Sequence, residues 1–351
     1  MNRRTFLNYT SKAALLAASP PLFNALSKGT KASRIYTVTG SIDSSSLGFT
    51  LIHEHILSIF GTKAQEPASY DNARVLKEVV PYLKYLKSLG CDTIVDCSAA
   101  YLGRNAELLQ EISGQSEVQI LTSTGIYGAA GDQYVPDYAY EESAETLAKR
   151  WIEEFETGIQ GTGVKPGFLK SGVDEGPLSD IDAKLVRAAA LTHLKTGLLL
   201  QIHTSDNPGA ANRQLEILRE EGVSPEAWVW VHAQNMESSD ALIEAAKRGA
   251  WISLDGLRTP NYLNDRRSSN STLMRHLRHL NAFREAGLLN RIMLSHDGSS
   301  YPPEGTDKRP MDVLMNSFIP MLKAAGYADR EIARITVENP AEAFSIEIKK
   351  Y

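Results

Sequence analysis

The sequence of 351 residues contains only two cysteines and no uninterrupted apolar run long enough to span a membrane. Cys91 precedes, and Cys97 ends, a predicted strand over Thr93–Cys97. At about 3.3 Å per residue, that strand keeps their Cα atoms beyond the roughly 7 Å that a disulfide can bridge. We therefore expect two buried thiols and no disulfide. We also expect no membrane-spanning helix, which would need about 20 apolar residues.

Two common catalytic or binding motifs are absent. No Gly-x-Gly-x-x-Gly loop follows the first predicted strand, which ends in His53-Glu54-His55, so a dinucleotide-binding sheet is not favoured. Gly161–Gly163 precedes a predicted strand and is interpreted as a turn. No Gly-x-Ser-x-Gly elbow occurs anywhere, which argues against a serine hydrolase.

Outside the start of the chain, acidic residues outnumber basic residues. The formal net charge is −5, from 37 basic and 42 acidic residues. Residues 1–34 hold six of the basic residues and no acidic residue, so the remainder carries a net charge of −11. An acidic body of this kind repels nucleic acids and anionic membranes, and we expect neither as a partner.

The basic start of the chain resembles a twin-arginine export signal. Asn2–Leu7 places two arginines directly before Phe-Leu, and an Ala- and Leu-rich stretch interrupted by two prolines follows over residues 13–26. We predict that residues 1–34 form a leader, cleaved between Ala25 and Arg34, and that the protein is periplasmic. The alternative is a basic tail on a cytosolic protein.

Eight short apolar runs rich in β-branched residues recur along the chain, separated by segments of helical periodicity. The predicted strands are Phe49–His55, Thr93–Cys97, Gln119–Thr124, Gly167–Lys170, Leu198–His203, Trp228–His232, Trp251–Asp255 and Arg291–Asp297. The predicted helices include Ala73–Leu89, Glu141–Gln160, Asp180–Thr196, Asn212–Glu221, Asp240–Lys247, Ser271–Ala286 and Met311–Ala325. Eight strand–helix units predict an α/β fold, a single (β/α)8 TIM barrel over residues 35–351. A doubly wound open sheet is the alternative.

Potential metal ligands end five of the eight predicted strands, where barrel enzymes place their active sites. Side chains alternate along a strand, so His53 and His55 face the same way and Glu54 faces the other. The complete set of strand-end ligands is His53, His55, Lys170, His203, His232 and Asp297. His296 alternates away from this set, and we interpret it as a supporting or structural residue.

This pattern resembles the binuclear metal site of the phosphotriesterase family of the amidohydrolase superfamily, in order and in spacing. The resemblance covers essentially all of residues 35–351. It extends to the segments Gly48–His55, Ser123–Tyr127, Ser295–Asp297 and Glu338–Ala341. It implies that the six strand-end residues hold two divalent metal ions.

The donor set suits zinc and tolerates cobalt, manganese or iron(II), since imidazole and carboxylate are borderline donors. An ammonium group beside two dications would be repelled, so Lys170 must be neutral or modified. The resemblance implies that carbon dioxide adds to the Lys170 amine, giving a carbamate that bridges the metals. It further implies attack by a metal-bridging hydroxide, with Asp297 as base and with Lys170 and Asp297 as catalytic residues.

Residues expected to bind substrate are Tyr127, after the third predicted strand, with Asp255 and Arg258, at and after the end of the seventh. The chain departs from the family at Gly256. Relatives that act on organophosphates carry a relay histidine there, and the lactonases carry an arginine. Arg258 substitutes for either only if its loop reshapes.

We predict a hydrolase of a small-molecule ester or lactone, with phosphotriester (organophosphate) hydrolysis as a side activity. The alternatives are a phosphotriesterase proper, an N-acyl amide hydrolase, or a barrel that binds a ligand without turnover. A homodimer is among the expected states. His276 and His279 are predicted on a solvated helix face and His193 on a crossover helix, while Tyr101, Arg104 and Trp251 are pocket or core candidates.

Overall fold

A computed structural model describes residues 33–258 and 269–351. The predicted leader, residues 1–34, lies outside the described residues apart from its last two positions. Its export function therefore stays a prediction.

Strands and helices alternate along the described chain. The strands are β1 Arg34–Thr37, β2 Gly40–Asp43, β3 Thr50–Leu57, β4 Thr93–Asp96, β5 Gln119–Leu121, β6 Ser123–Thr124, β7 Phe168–Gly172, β8 Leu200–His203, β9 Trp228–Val231, β10 Trp251–Leu254, β11 Ile292–Leu294 and β12 Gly298–Tyr301. The helices are α1 Asn72–Ser88, α2 Ala106–Ser116, α3 Asp137–Glu141, α4 Ala144–Thr157, α5 Asp180–Thr196, α6 Pro208–Glu220, α7 Asp240–Lys247, α8 Ser269–Glu285, α9 Ile319–Ala324, α10 Asp329–Ala333 and α11 Asn339–Ala343.

All eight predicted runs contain a strand, and the strands pair in parallel in chain order. One sheet has the order β12-β3-β4-β5 and the other β11-β10-β9-β8-β7-β6. Only Thr122 separates β5, at an edge of the first sheet, from β6, at an edge of the second. β12 and β11 lie at the opposite edges of the two sheets, and on the segment between them the Asp297 amide donates to the His53 carbonyl of β3 at 3.0 Å. The fold is therefore α/β with parallel sheets. An additional antiparallel hairpin, β1–β2, precedes them.

Helix starts follow the local sequence closely. The side chains of Asp71, Asn105, Ser143, Ser179 and Asn207 each accept a hydrogen bond from a backbone amide in the first turn of α1, α2, α4, α5 and α6. Such caps satisfy amide groups that the helix itself leaves unpaired. They fix where each helix begins after the loop that leaves a strand.

The apolar core has two layers. A large cluster lies between the strands and the helices, as expected for parallel strands buried on both faces. A second cluster draws on strands of both sheets and includes Ile52, Val95, Leu121, Phe168, Val229 and Met293. Cys91 and Cys97 are buried and unpaired, as predicted. In the described part of the chain, no helix combines the length and apolar character needed to cross a membrane.

Candidate metal centre

Four histidines converge where the parallel strands end. β3 supplies His53 and His55, β8 ends in His203, and His232 directly follows β9. Their ring centroids lie 4.9 Å apart for His53 and His232, 4.5 Å for His203 and His232, and 5.7 Å for His53 and His55. The predicted imidazole cluster is therefore present.

Asp297 joins these histidines from the segment between β11 and β12. Its Oδ1 lies 3.2 Å from Nε2 of His55 and 3.8 Å from Nε2 of His53. Single ligand atoms of His53, His232 and Asp297 all fall within 4.8 Å of one another. A nitrogen and oxygen donor set this close can hold a transition-metal ion.

Lys170 lies on β7 and is only 1% exposed. Its Nζ has no hydrogen-bond partner among the described residues. Burial lowers the pKa of the Lys170 amine, because a low-dielectric surrounding disfavours the ammonium form. A buried amine without a partner is costly unless another group engages it. Lys170 therefore fits a metal centre in which its side-chain nitrogen is bound to another group.

Burial favours the neutral imidazole at His53 and His203. Burial, with the Lys170 amine nearby, lowers the pKa of His53 to about 3. Burial and the neighbouring His232 hold the pKa of His203 well below its usual range. Neutral imidazole is the form that binds metals, so protons compete weakly for these nitrogens.

In each of the four histidines, the ring nitrogen Nδ1 lies beside a protein group. His232 Nδ1 donates to Asp255 at 2.6 Å, and His53 Nδ1 lies 3.1 Å from the other oxygen of that carboxylate. Nδ1 of His55 pairs with Ser98 at 2.9 Å. Contacts of this kind fix the orientation of a histidine and raise its basicity.

Asp255 was predicted to contact substrate, but it lies behind the histidines. Its side chain is fully buried, and it also accepts from the Ser253 hydroxyl at 2.5 Å. Although burial alone would raise the pKa of the Asp255 carboxyl, the adjacent rings of His232 and His53 outweigh it and hold that pKa well below its usual range. We assign Asp255 to orienting the histidines.

Tyr127 lies beside the centre, as predicted. Its hydroxyl is 3.1 Å from Nδ1 of His203, and its ring meets that imidazole edge to face. Burial raises the pKa of Tyr127, so the phenol keeps its proton and can act as a hydrogen-bond donor.

Glu54 anchors the segment that carries Asp297. The Ser295 hydroxyl and the His296 Nδ1 pair with the Glu54 carboxylate at 2.7 and 2.6 Å. On its other side, His296 accepts from the Leu314 amide at 3.0 Å. His296 is therefore a structural residue, as predicted.

Two arginines flank Asp297. Arg258 Nη2 lies 3.3 Å from Asp297 Oδ2, so its loop does bring it to the centre. Arg309 Nη1 lies 2.7 Å from the same oxygen. The sequence pattern missed Arg309, because it lies beyond the strand ends, on a segment whose backbone pairs with Ser299. Although burial alone would raise the pKa of the Asp297 carboxyl, Arg309 and the hydrogen bond with His55 outweigh it and hold that pKa well below its usual range.

The prediction that His276 and His279 lie on a solvated face is wrong. Both are buried on α8, which turns them toward the protein interior. His276 Nδ1 pairs with the Thr272 carbonyl at 2.8 Å, and its Nε2 accepts from the Gly256 amide at 3.3 Å. The arginines beside them in the sequence suggested an exposed helix. His193 lies on α5, as predicted, and is buried.

Two of the remaining candidates belong to an ion-pair network that lines a separate pocket, and the third lies in the core. Arg104 is buried and forms ion pairs with Glu66 at 2.7 Å and Glu154 at 2.8 Å. The Tyr101 amide donates to Glu66, which joins it to the same network. Trp251 is buried in the core at the start of β10.

Histidine, carboxylate and lysine donors at the ends of parallel strands define the protein as an α/β protein with a candidate metal-dependent catalytic centre. A sequence model of the phosphotriesterase family matches residues 33–344. The chain belongs to that family, and it is a hydrolase.

The alignments between this chain and its curated relatives cover nearly the full length of each relative. An aryldialkylphosphatase of Saccharolobus solfataricus is 30% identical over an alignment of 318 positions that covers 87% of this chain and 97% of that protein. A phosphotriesterase homology protein of Escherichia coli is 28% identical over 301 residues, covering 85% and 98%. An N-acetyltaurine hydrolase of Mus musculus is 24% identical over 346 residues, covering 88% and 97%.

Proposed function

We propose that the protein is a binuclear zinc-dependent hydrolase of carboxylic esters or lactones, with phosphotriester hydrolysis as a side activity. The observation that carries the proposal is the convergence of four imidazoles, the Asp297 carboxylate and the buried Lys170 amine, which has no hydrogen-bond partner among the described residues. The residues that would hold two divalent ions are His53, His55, Lys170 as its carbamate, His203, His232 and Asp297. When bound, such ions supply a water-derived nucleophile near neutral pH and polarise the substrate oxygen.

The protein's own groups supply the proton chemistry and the orientation. Asp297 is ionised at neutral pH and its oxygens lie within 3.8 Å of two ligand imidazoles, so it is placed to take the proton of the attacking water. Tyr127 can donate to the substrate oxygen from its position beside His203. Asp255 and Ser98 keep the histidine rings from turning.

Gly256 supports the preference for an ester or lactone over a phosphotriester. A Cβ at this position would lie 2.6 Å from Nε2 of Gln234, closer than real Cβ atoms come to neighbours. Gln234 is itself held by the Asp255 amide, which donates to it at 3.0 Å. A larger residue at position 256 would displace the Gln234 side chain, and because this residue is glycine, leaving-group protonation depends on other residues.

We also propose that the two sheets close as one (β/α)8 barrel. Two facts support this: a single residue separates β5 from β6, and a backbone hydrogen bond joins Asp297 to His53 at the other seam. A closed barrel places all six ligands at one mouth.

The relatives favour two alternative activities. The Saccharolobus protein is an aryldialkylphosphatase, which favours phosphotriester hydrolysis, and the mouse protein is an N-acetyltaurine hydrolase, which favours hydrolysis of an N-acyl amide. The same nucleophile and the same base serve all three bond types.

A hydrolysis screen of the zinc-loaded or cobalt-loaded protein tests the proposal. The panel contains lactones, aryl esters, paraoxon-like triesters and N-acyl amino acids, each run beside Lys170→Met. We expect the highest kcat/KM on an ester or lactone and no activity in the variant. A triester preference of roughly tenfold, about 1.4 kcal/mol in transition-state binding, would overturn the substrate assignment.

A further inference from the structure

The charges beside Asp297 do not balance. Two guanidinium groups, Arg258 and Arg309, share the single Asp297 carboxylate. In the described ranges, neither arginine has a second carboxylate within ion-pair distance. Among the described residues, the Arg258 side chain also donates a hydrogen bond to the backbone carbonyl of Leu257, at 3.1 Å, and one to the backbone carbonyl of Asp297. Each of these two guanidinium groups therefore shares its one carboxylate partner with the other.

A fully buried arginine elsewhere in the described chain is paired differently. Arg104 is 2% exposed and has two carboxylates, Glu66 and Glu154, for its one charge. Burying a cation is costly unless it is paired, and at Arg104 two carboxylates pair with one guanidinium. The sparse pairing of Arg258 and Arg309 is thus a local property of the candidate centre.

Both arginines remain within reach of a ligand. The side chains of Arg258 and Arg309 are 13% and 29% exposed, and Asp297 between them is 19% exposed. A substrate group bound beside Asp297 lies within reach of these two forked donors. A guanidinium binds carboxylate or sulfonate oxygens through two parallel N–H groups, which gives both affinity and orientation.

We propose that Arg258 and Arg309 bind an anionic group of the substrate, a carboxylate or a sulfonate, close to the bond that is cleaved. This inference rests on the proposed hydrolase function and narrows its substrate class to acidic esters, lactones or amides. Water adds to the acyl carbon, the bond to the leaving oxygen or nitrogen breaks, and the water's proton passes to that leaving atom. No other reactant is needed.

Two para-nitrophenyl esters of similar size test this assignment, the hemisuccinate with a terminal carboxylate and the pentanoate with a terminal methyl group. We expect the metal-loaded protein to prefer the hemisuccinate by at least tenfold in kcat/KM. Arg258→Gln and Arg309→Gln should each remove most of that preference, while Arg309→Lys keeps part of it. Arg213→Gln, a change in an exposed α6 ion pair, is the matched control and should leave the preference unchanged.

A binding measurement gives a second readout that needs no turnover. Ethanesulfonate, a weak metal ligand, should bind the wild type in calorimetry and bind each Gln variant at least fivefold more weakly. Equal kcat/KM for the two esters, with no effect of the arginine variants, would overturn the inference and leave the hydrolase intact. Failure of the loaded protein to cleave any panel substrate would instead overturn the proposed function.

Discussion

Asp297 is the residue at which the proposed metal-ligand and base roles meet the charge pairing of the centre. Its carboxylate lies 3.2 Å from the His55 imidazole and 2.7 Å from the Arg309 guanidinium. Arg309 and the hydrogen bond with His55 hold the pKa of the Asp297 carboxyl well below its usual range, so it is ionised although it is largely buried. It therefore has a stable position and charge from which to accept a proton.

Asp297→Asn should lower kcat by about 100-fold or more, the usual loss for an acid–base group. The amide keeps the shape of the side chain but cannot take the proton. Steady-state kinetics on the best panel substrate measures the effect, and metal analysis of the same sample shows how much metal is retained. Turnover equal to that of the wild type would contradict the assigned role.

Asp255→Asn should weaken zinc affinity by about 10- to 100-fold, the usual cost of losing a group that orients a metal-binding histidine. The asparagine can no longer hold both His53 and His232 by charge. Competition with a chromogenic chelator measures the affinity. Asp240→Asn, an exposed change at the start of α7, is the control. If both variants bind zinc like the wild type, Asp255 has no such role.

The positions of the candidate ligands could be predicted from the sequence because strand-end position and side-chain alternation are local properties. His53, His55, Lys170 and His203 lie on predicted strands, and His232 ends one. The role of Asp255 depends on which rings surround it, and Arg309 reaches the centre from a segment beyond the last predicted strand. Both are tertiary facts that no local pattern contains.

At the scale of elements, strands were easier to predict than helix faces. Continuous apolar runs mark strands that are buried on both sides, and each predicted run contains one. α8 shows the opposite case, because its histidines are buried while its sequence is rich in arginine. The segment predicted as one helix over Met311–Ala325 is a π-helical turn, Leu314–Phe318, followed by α9.

The burial of α8 makes stability depend on pH. Burial lowers the pKa of His276 to about 3, against about 6.5 for a histidine in the unfolded chain. The unfolded state therefore binds more protons below about pH 6.5, so this contribution is full above that pH and is lost as the pH falls toward 3. His276→Gln should lose less stability than the wild type between about pH 7.5 and about pH 5.

Urea unfolding of both proteins at the two pH values gives that difference directly. Titrating groups that the two proteins share cancel in the comparison. Equal losses in the wild type and the variant would show that His276 is not the group responsible.

At the scale of the whole molecule, the basic segment of residues 1–34 is predicted to direct export of the acidic remainder of the chain. Replacing Arg3 and Arg4 with lysine keeps the charge but removes the twin-arginine pair, so the protein should accumulate in the cytoplasm. Fractionation of cells that express the wild type and the variant measures this. Unchanged periplasmic protein would point to another route, and a wild type found only in the cytoplasm would remove the export proposal.

The account as a whole depends on two metal ions bound by six residues. Elemental analysis of protein purified without chelators tests this most directly, on the wild type, Lys170→Met and the exposed control Lys149→Met. We predict about two divalent ions per chain in the wild type and the control, and loss of metal and activity together in Lys170→Met. A fully active wild type with one ion per chain, or a Lys170→Met variant with both ions and normal turnover, would contradict the binuclear centre.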